Sequence, residues 1–364
     1  MIRARSTLCF ALSLLSVAAG CTNETPATPI LRVATRPSFT TGNPINTGSQ
    51  EAYTLAVIGD TPYGAQKLAE LPSLIALMNA DPKADVVVHL GDIKAGSSSP
   101  CTTAYFDTIR TLFSTFKDPL VYTPGDNEWV DCHVFSKNNG LFTPTERLQT
   151  VRQMFFPVPG QTIGGRKKQV LTEADDPANA AFVENVMWME SQVVFATLNL
   201  QGSNDDLAPW GMPLPLDAAS YPSQADERTA RIQANRAWLE KTFALASANN
   251  AAGVVLMFQA DMWDATSALS GFNGVVQQMG NLAAAFGKPV LILEGDSHLF
   301  RVDQPFTSAS PLFTLHPSTP IAPNVTRIVV EGSAAGRTEY LRLTVDPKND
   351  PSSLFSWERV PLHP

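Results

Sequence analysis

This chain of 364 residues is poor in charge: only 16% of its residues are charged, and no run of bases exceeds Arg166-Lys167-Lys168. Its formal charge is −8. Binding a nucleic-acid backbone requires clustered Lys and Arg to neutralise phosphates, so nucleic acid is excluded as the main partner. Beyond Leu8–Ala19 there is no long apolar run, and hence no later membrane span, which takes ~20 apolar residues. No internal repeat is present, histidine is scarce at five, and cysteine scarcer at four. Core material is plentiful, with 44% hydrophobic residues. At ~150 residues per domain the length suggests two domains, but one large α/β domain is equally admissible.

The N-terminus reads as an export signal spanning 1–21. Arg3 and Arg5 supply its charged region, and the apolar stretch Leu8–Ala19 is too short to span a bilayer. It ends in Ala18-Ala19-Gly20-Cys21, which is similar to the lipobox of bacterial lipoproteins except that Ala18 replaces the usual Leu. The expectation is an exported, cell-envelope protein tied to the membrane by a lipid on Cys21. Residues 22–50, rich in Thr, Pro, Asn, Ser and Gly, read as a tether, leaving 51–364 as one domain. Cys9 leaves with the leader, and Cys101 and Cys132 remain as an even pair in an oxidising compartment. A disulfide between them is expected.

Apolar, β-branched runs predict strands at Tyr53–Ile58, Asp85–Leu90, Pro119–Thr123, Val193–Asn199, Gly253–Phe258 and Pro289–Glu294. Several are almost continuously apolar, as strands covered on both faces are. Three more follow at Thr326–Glu331, Tyr340–Asp346 and Leu354–Val360, the last two alternating as a hairpin or edge does. Helical stripes lie between, for example Phe106, Ile109, Leu112, Phe113 and Phe116, and Val275 to Phe286 with Gly287 at C′. Stretches at about 157–180 and 201–224 read as irregular surface loops of the kind that can cover a site.

In open α/β sheets ligands bind beyond the carboxyl ends of the strands. The residues there are Gly59-Asp60-Thr61-Pro62, Gly91-Asp92-Ile93-Lys94, Pro124-Gly125-Asp126-Asn127-Glu128, Gln259-Ala260-Asp261 and Glu294-Gly295-Asp296-Ser297-His298. One Gly-Asp pair is a common turn in which Gly lets the chain bend sharply. Four, each directly after a buried-strand pattern, mark a site. If Asp60, Asp92, Asp126 and Asp296 converge they carry −4 and repel, because unit charges 4 Å apart interact by about 4 kcal/mol at an effective dielectric of 20. Such a cluster calls for protons, basic partners or divalent cations.

This order of motifs resembles the calcineurin-like metallophosphoesterase family, whose pattern runs Asp-x-His, Gly-Asp, Gly-Asn-His-Asp/Glu, a lone His and Gly-His-x-His. The resemblance covers most of 53–300 and implies a sandwich of two mixed sheets flanked by helices. It also implies hydrolysis of a phosphate ester by a metal-bound water, on a small phosphorylated substrate. Asp60 matches the first Asp, Asp92 the Asp that bridges two metals, Glu128 the closing acid and His298 the last His. The departures are Pro62, Asn127, Gln259 and Asp296 where histidines are usual, and Asp126 where Asn is usual. The resemblance thus implies metal ligands Asp60, Asp92, Asp126, Gln259, Asp296 and His298. One or two divalent ions are expected, Mn²⁺ or Mg²⁺ rather than Zn²⁺ because the surviving ligands are mostly oxygen.

At the catalytic position stand Asn127, Glu128 and His133, with Glu128 or His133 replacing the missing acid; a histidine like His133 is more often a polar loop residue. His89, inside a strand run, is more often a core histidine. Lys94 can offset Asp92, replace a metal or bind phosphate. Asn199, Ser203 and Asn204, after the fourth strand, can hydrogen-bond substrate but read first as ordinary loop polarity, and Arg301 and Asp303 as a simple pair. The competing reading is a non-catalytic relative that binds a ligand or an envelope partner. Paired-acid glycoside hydrolysis has no supporting motif.

Overall fold

A computed structural model describes residues 43–96, 99–134, 141–211 and 214–363. The leader, Cys21 and residues 22–42 of the tether lie outside the described residues. Strand order in the first sheet is β13-β12-β1-β2-β3-β4 and in the second β10-β11-β9-β8-β7-β6-β5. The first sheet comprises β1 (Tyr53–Ile58), β2 (Val86–His89), β3 (Pro119–Tyr122), β4 (Ile163–Gly164), β12 (Glu339–Val345) and β13 (Phe355–Pro361). The second comprises β5 (Leu171–Thr172), β6 (Val186–Glu190), β7 (Val193–Thr197), β8 (Gly253–Met257), β9 (Val290–Glu294), β10 (Arg301–Asp303) and β11 (Val325–Val329). Both sheets are mixed. β1, β2 and β3 run parallel, as do β7, β8, β9 and β11, while β12 and β13 form the expected antiparallel pair.

Alternation along each strand divides the core into layers. Leu55, Val57, Val86 and Val88 face Trp188, Phe195, Val255, Met257, Leu291 and Leu293 between the sheets. Their neighbours Ala56, Ile58, Val87 and Leu120 face outward onto α1 (Gly64–Ala80), α2 (Thr103–Phe113) and α3 (Pro144–Phe155). On the other side Val194, Ala196, Val254, Leu256 and Ile292 meet α4 (Gln224–Ala248) and α5 (Asn273–Phe286), and α5 ends on Gly287 in the left-handed conformation. Strands buried on both faces explain the unbroken apolar runs. The fold is therefore an α/β sandwich of two mixed sheets flanked by helices.

Several elements differ from the sequence expectation. β4 and β5 lie inside 157–180, which reads as surface loop, yet each pairs into a sheet, and β10 lies outside the predicted runs. β6, Val-Met-Trp-Met-Glu, was not anticipated; it pairs with β7 and its Trp188 stacks on Phe195 at 5.0 Å. Residues 44–46, inside the stretch read as tether, bond to β6 through Asn46 N to Met189 O and Met189 N to Pro44 O, both 2.9 Å.

Candidate functional site

The carboxyl ends of the two sheets meet at one edge of the sandwich. Asp60, after β1, accepts the backbone N–H of Asp296, after β9, on both carboxylate oxygens at 2.9 Å. Thr123, after β3, donates to Leu198 O, after β7, at 3.1 Å. The seam brings Asp60, Asp92, Asp126, Gln259 and Asp296 together, the first four buried and Asp296 half-buried, with His298 beside them at the rim.

The local backbone explains how these side chains are aimed. Asp60, Asp92, Asp296 and His298 all have positive φ, at 50°, 57°, 68° and 64°. Asp tolerates this left-handed region better than most residues. The sequence reading gave the sharp turn to glycine; Gly91 is left-handed at φ 88°, but Gly59, Gly125 and Gly295 are not. What they supply is room: a Cβ on Gly295 would lie 2.0 Å from Asp60 Oδ2, and one on Gly125 2.1 Å from Asp92 Oδ1. Gly125 and Gly295 thus let the carboxylate of a neighbouring turn press against the backbone, while Gly59 makes room for Val330 and Leu90.

Electrostatically the site is starved of positive charge. Burial, then repulsion from Asp296, holds the Asp60 carboxyl well above its usual range. Burial, then Asp126 and Asp60, does the same to Asp92, and burial with Asp126 does so to Asp296. Asp126 is pushed up to about 7 by burial and by Asp131. Lys94 lies beneath, buried, its ammonium donating to Ala95 O at 2.7 Å and Asn127 O at 3.0 Å; burial lowers its pKa while Asp92 and Glu128 oppose the shift.

The residues expected at the catalytic position take other places. Glu128 is fully buried, and its Oε1 accepts from Tyr122 Oη at 2.6 Å, Gly125 N at 2.7 Å and Asp92 N at 3.2 Å. It braces two Gly-Asp turns from below, with Oε2 left unpartnered. His133 Nδ1 faces Val130 O at 2.8 Å, and among the described residues it has no hydrogen bond to the carboxylates. Asn127 does enter the site, donating through Nδ2 to Asp92 Oδ2 at 2.6 Å and through its backbone to Asp92 Oδ1 at 3.1 Å. His89 is a core residue bonded to Thr61 O at 2.8 Å, its pKa lowered to about 4 by burial.

Three further residues take part in the site. Tyr63 donates to Asp92 Oδ2 at 2.6 Å, accepts from Asn127 Nδ2 at 2.7 Å and stands edge-on to His298 at 4.9 Å. Ser203, set aside as loop polarity, donates to Asp126 Oδ2 at 2.7 Å and lies 3.2 Å from Asp131 Oδ1. It belongs to a left-handed run, Ser203 to Asp206, with φ between 53° and 58°. Gly202 presents its N–H to Gln259 Oε1 at 2.6 Å, and a Cβ there would lie 2.7 Å from Asp126 Oδ2 and 3.0 Å from Asp296 Oδ1. Asn199 instead braces the interior, donating to Glu184 Oε1 at 2.7 Å. Arg301 and Asp303 do not pair: Arg301 bonds Asp261 at 2.9 Å and Asp303 bonds Arg327 at 2.6 Å.

Whether these residues suit a divalent cation is decided by donors and space. Among the described residues no three His, Cys, Asp or Glu side chains form a ready metal cage. Close to Gly202, however, Asp126 Oδ2 and Asp296 Oδ1 converge, 2.7 and 3.0 Å from where a Cβ on that residue would lie, and Gln259 Oε1 accepts from the Gly202 amide. The donor set is oxygen and anionic, which fits a hard divalent ion there. His298 Nε2 is 4.0 Å from Asp60 Oδ1, and Pro62 offers no ligand.

The family model described as calcineurin-like phosphoesterase matches residues 53–233, and that part of the chain belongs to the family. No curated protein matches it. Among solved structures, it is similar to a dimetal phosphatase from Danio rerio at 12% identity, covering 85% of this chain and 99% of that one, with a TM-score of 0.48. It is also similar to GAP50, the anchor in the inner membrane complex of Plasmodium, at 8% identity, covering 86% and 85%, with a TM-score of 0.44.

Proposed function

We propose that this protein hydrolyses a small phosphate ester with the help of a divalent cation, Mn²⁺ or Mg²⁺ in preference to Zn²⁺. The observation that carries the reading is the convergence of four carboxylates, three of them buried and Asp296 half-buried, each held above its usual pKa by desolvation and by like charge. Asp126, Gln259 and Asp296 would hold the cation, with Asp60, Asp92 and His298 alongside. When bound, a divalent cation polarises a phosphoryl oxygen and lowers the pKa of a coordinated water. The chain's own contribution is positional. The Asp296 amide fixes Asp60, the Asp261 amide fixes Asp296 Oδ2 at 3.1 Å, and Ser203 fixes Asp126. Tyr63, its phenol kept neutral by burial and by Asp92, presents a proton-bearing oxygen at the same edge.

The test is elemental analysis of the purified chain, followed by thermal melts and monoester and diester assays across cations. A cation that binds only the folded state raises the melting temperature. The expected result is a rise with Mn²⁺ or Mg²⁺ and cation-dependent hydrolysis that Asp296→Asn abolishes. No bound metal and no shift with any cation would leave the non-catalytic binding protein as the better account. One feature favours that second reading: no histidine stands beside Asp92, where Asn127 and Tyr63 are found instead. The export leader and the lipid on Cys21 belong to the same proposal. Release of Cys21→Ser from the membrane fraction is expected, and unchanged membrane association counts against the anchor.

A further inference from the structure

We propose that the open margin of the sandwich, at the end away from the carboxylates, carries a separate binding site whose ligand is a neutral saccharide stacked on Trp357. The inference is independent of the phosphoesterase reading. A cavity of about 430 Å³ lies there, with Phe355 and Trp357 of β13 on one side and Leu291 of β9, Thr326 of β11 and Gln304 on the other. Small-molecule sites occupy about 300–1,000 Å³, so the volume suits one or two sugar rings.

The topology creates the cavity. The two sheets end at this margin in β13 and in β10, and β10 has three residues against seven in β13. Trp357 stands opposite Leu343 in the register of β12 and β13, so both side chains point into the space between the sheets. Leu343 is fully buried in that layer, whereas Trp357 is 38% exposed. An indole aimed inward from an edge strand and left uncovered is a large apolar face without a partner. Leu291 and Thr326 are each the second residue of their strands, and Asp296 lies beyond the last residue of β9. The cavity and the carboxylates therefore occupy opposite ends of the same sheet.

The lining decides the ligand's chemistry. Among the described residues no charged side chain borders the cavity, so nothing there is built to hold a phosphate, a carboxylate or an ammonium group. Its polar groups are neutral and uncommitted. The side chains of Gln304, Thr326, Ser352 and Trp357 make no hydrogen bond among the described residues. Asn324 donates through Nδ2 to Ala283 O at 2.8 Å and Lys288 O at 2.7 Å, which fixes the amide and leaves Oδ1 to accept from outside. A wholly apolar ligand would strip water from these groups and offer no hydrogen bond in return. A pyranose satisfies both sides of the cavity. Its C–H face covers the electron-rich face of an indole, and each of its hydroxyls both donates and accepts.

The experiment titrates the full chain with maltotriose, cellotriose and chitotriose, and with phenol as a neutral aromatic comparison, by calorimetry and tryptophan emission. The expected result is saturable binding of at least one trisaccharide at millimolar concentration or below, with a change in emission. Trp357→Ala is expected to weaken that binding by about tenfold or more. Thr326→Val, which removes one hydroxyl at nearly constant shape, is expected to weaken it roughly threefold. Both variants should keep the parent melting temperature. Saccharide binding that ignores both substitutions overturns the placement. Phenol binding that Trp357→Ala abolishes, with none of the three saccharides bound, overturns the ligand class. No binding of any probe overturns the proposal and leaves the phosphoesterase reading untouched.

Discussion

Arg327 offers the sharpest test of how the site end of the second sheet is held. It sits on β11, fully buried, and its Nη1 donates to Asp261 Oδ1 at 2.5 Å and to Glu294 Oε1 at 2.6 Å, while Nε and Nη2 fork onto Asp303 at 2.9 and 2.6 Å. One guanidinium therefore ties together the segments that follow β8, close β9 and form β10. Asp261 in turn gives its amide to Asp296. Arg327→Met keeps most of the volume and removes the charge. Asp261 retains Arg301, but Glu294 and Asp303 lose their partner. Removing one member of a buried ion network costs about 3–5 kcal/mol, a large part of a total stability of about 5–15 kcal/mol. Arg327→Lys keeps the charge but offers three donors where four bonds now exist, so it should fall between the two.

The assay is urea unfolding at pH 7.5 and pH 5, comparing midpoints at constant slope. Burial already raises the Glu294 pKa, and losing Arg327, which opposes that shift, raises it further. A carboxyl whose folded pKa exceeds its unfolded value loses stability as pH rises, so the deficit of Arg327→Met should shrink at pH 5. A loss below about 1 kcal/mol at pH 7.5, or one larger at pH 5 than at pH 7.5, would refute the reasoning, since exposed pairs are worth no more than that.

Two further outcomes follow from the same structure. Cys101 and Cys132 are bonded across a separation of 31 residues and join the segment after Asp92 to the one after Asp126. Chain-entropy reasoning gives about 3–4 kcal/mol, often less in practice, so reduction or paired Cys→Ser substitution should lower the urea midpoint, and a pair of free thiols in oxidised protein would contradict it. Without cations, stability should fall between about pH 6.5 and 8. Asp126, Glu173 and Asp206, each raised to about 7 with burial as the first cause, bind protons more tightly folded than unfolded, so their contribution is lost as pH rises through that value. His89, His298 and His316 act in the opposite sense, since burial lowers their pKa values, but their gain is complete by about pH 6.5. Melting temperatures across that range check it, and saturating Mn²⁺ should flatten the fall.

Much of this was legible in the sequence because the strands are buried on both faces and end abruptly. Tyr53–Ile58 coincides with the predicted run, and each Gly-Asp pair lies just beyond its strand. β6 escaped because Glu184 and Asn185 interrupt its apolar approach and its core is two methionines and a tryptophan rather than β-branched residues. The carboxylates were legible as a set, since each follows a strand and the sheet order needs only to place those ends together. Tyr63, Ser203 and Gly202 were not, because their roles exist only once the seam between sheets has formed. Tyr63 reaches a residue 29 positions away and Ser203 one 77 away. Glu128 misled for the reverse reason: a carboxylate closing an acidic motif reads as chemistry, and only its three inward donors show that it holds backbone.

The left-handed backbone at Asp60, Asp92, Asp296 and His298 bears on how such a protein can be interrogated. Truncating one of these aspartates to alanine removes a carboxylate and also places an L-residue with no local side-chain compensation where the chain turns the wrong way, at about 1–2 kcal/mol each. An alanine scan would then merge two losses, one of chemistry and one of chain direction, and would rank these positions too high. Asparagine keeps the tolerance for positive φ while removing the charge, so the scan that separates function from folding at this edge is an asparagine scan.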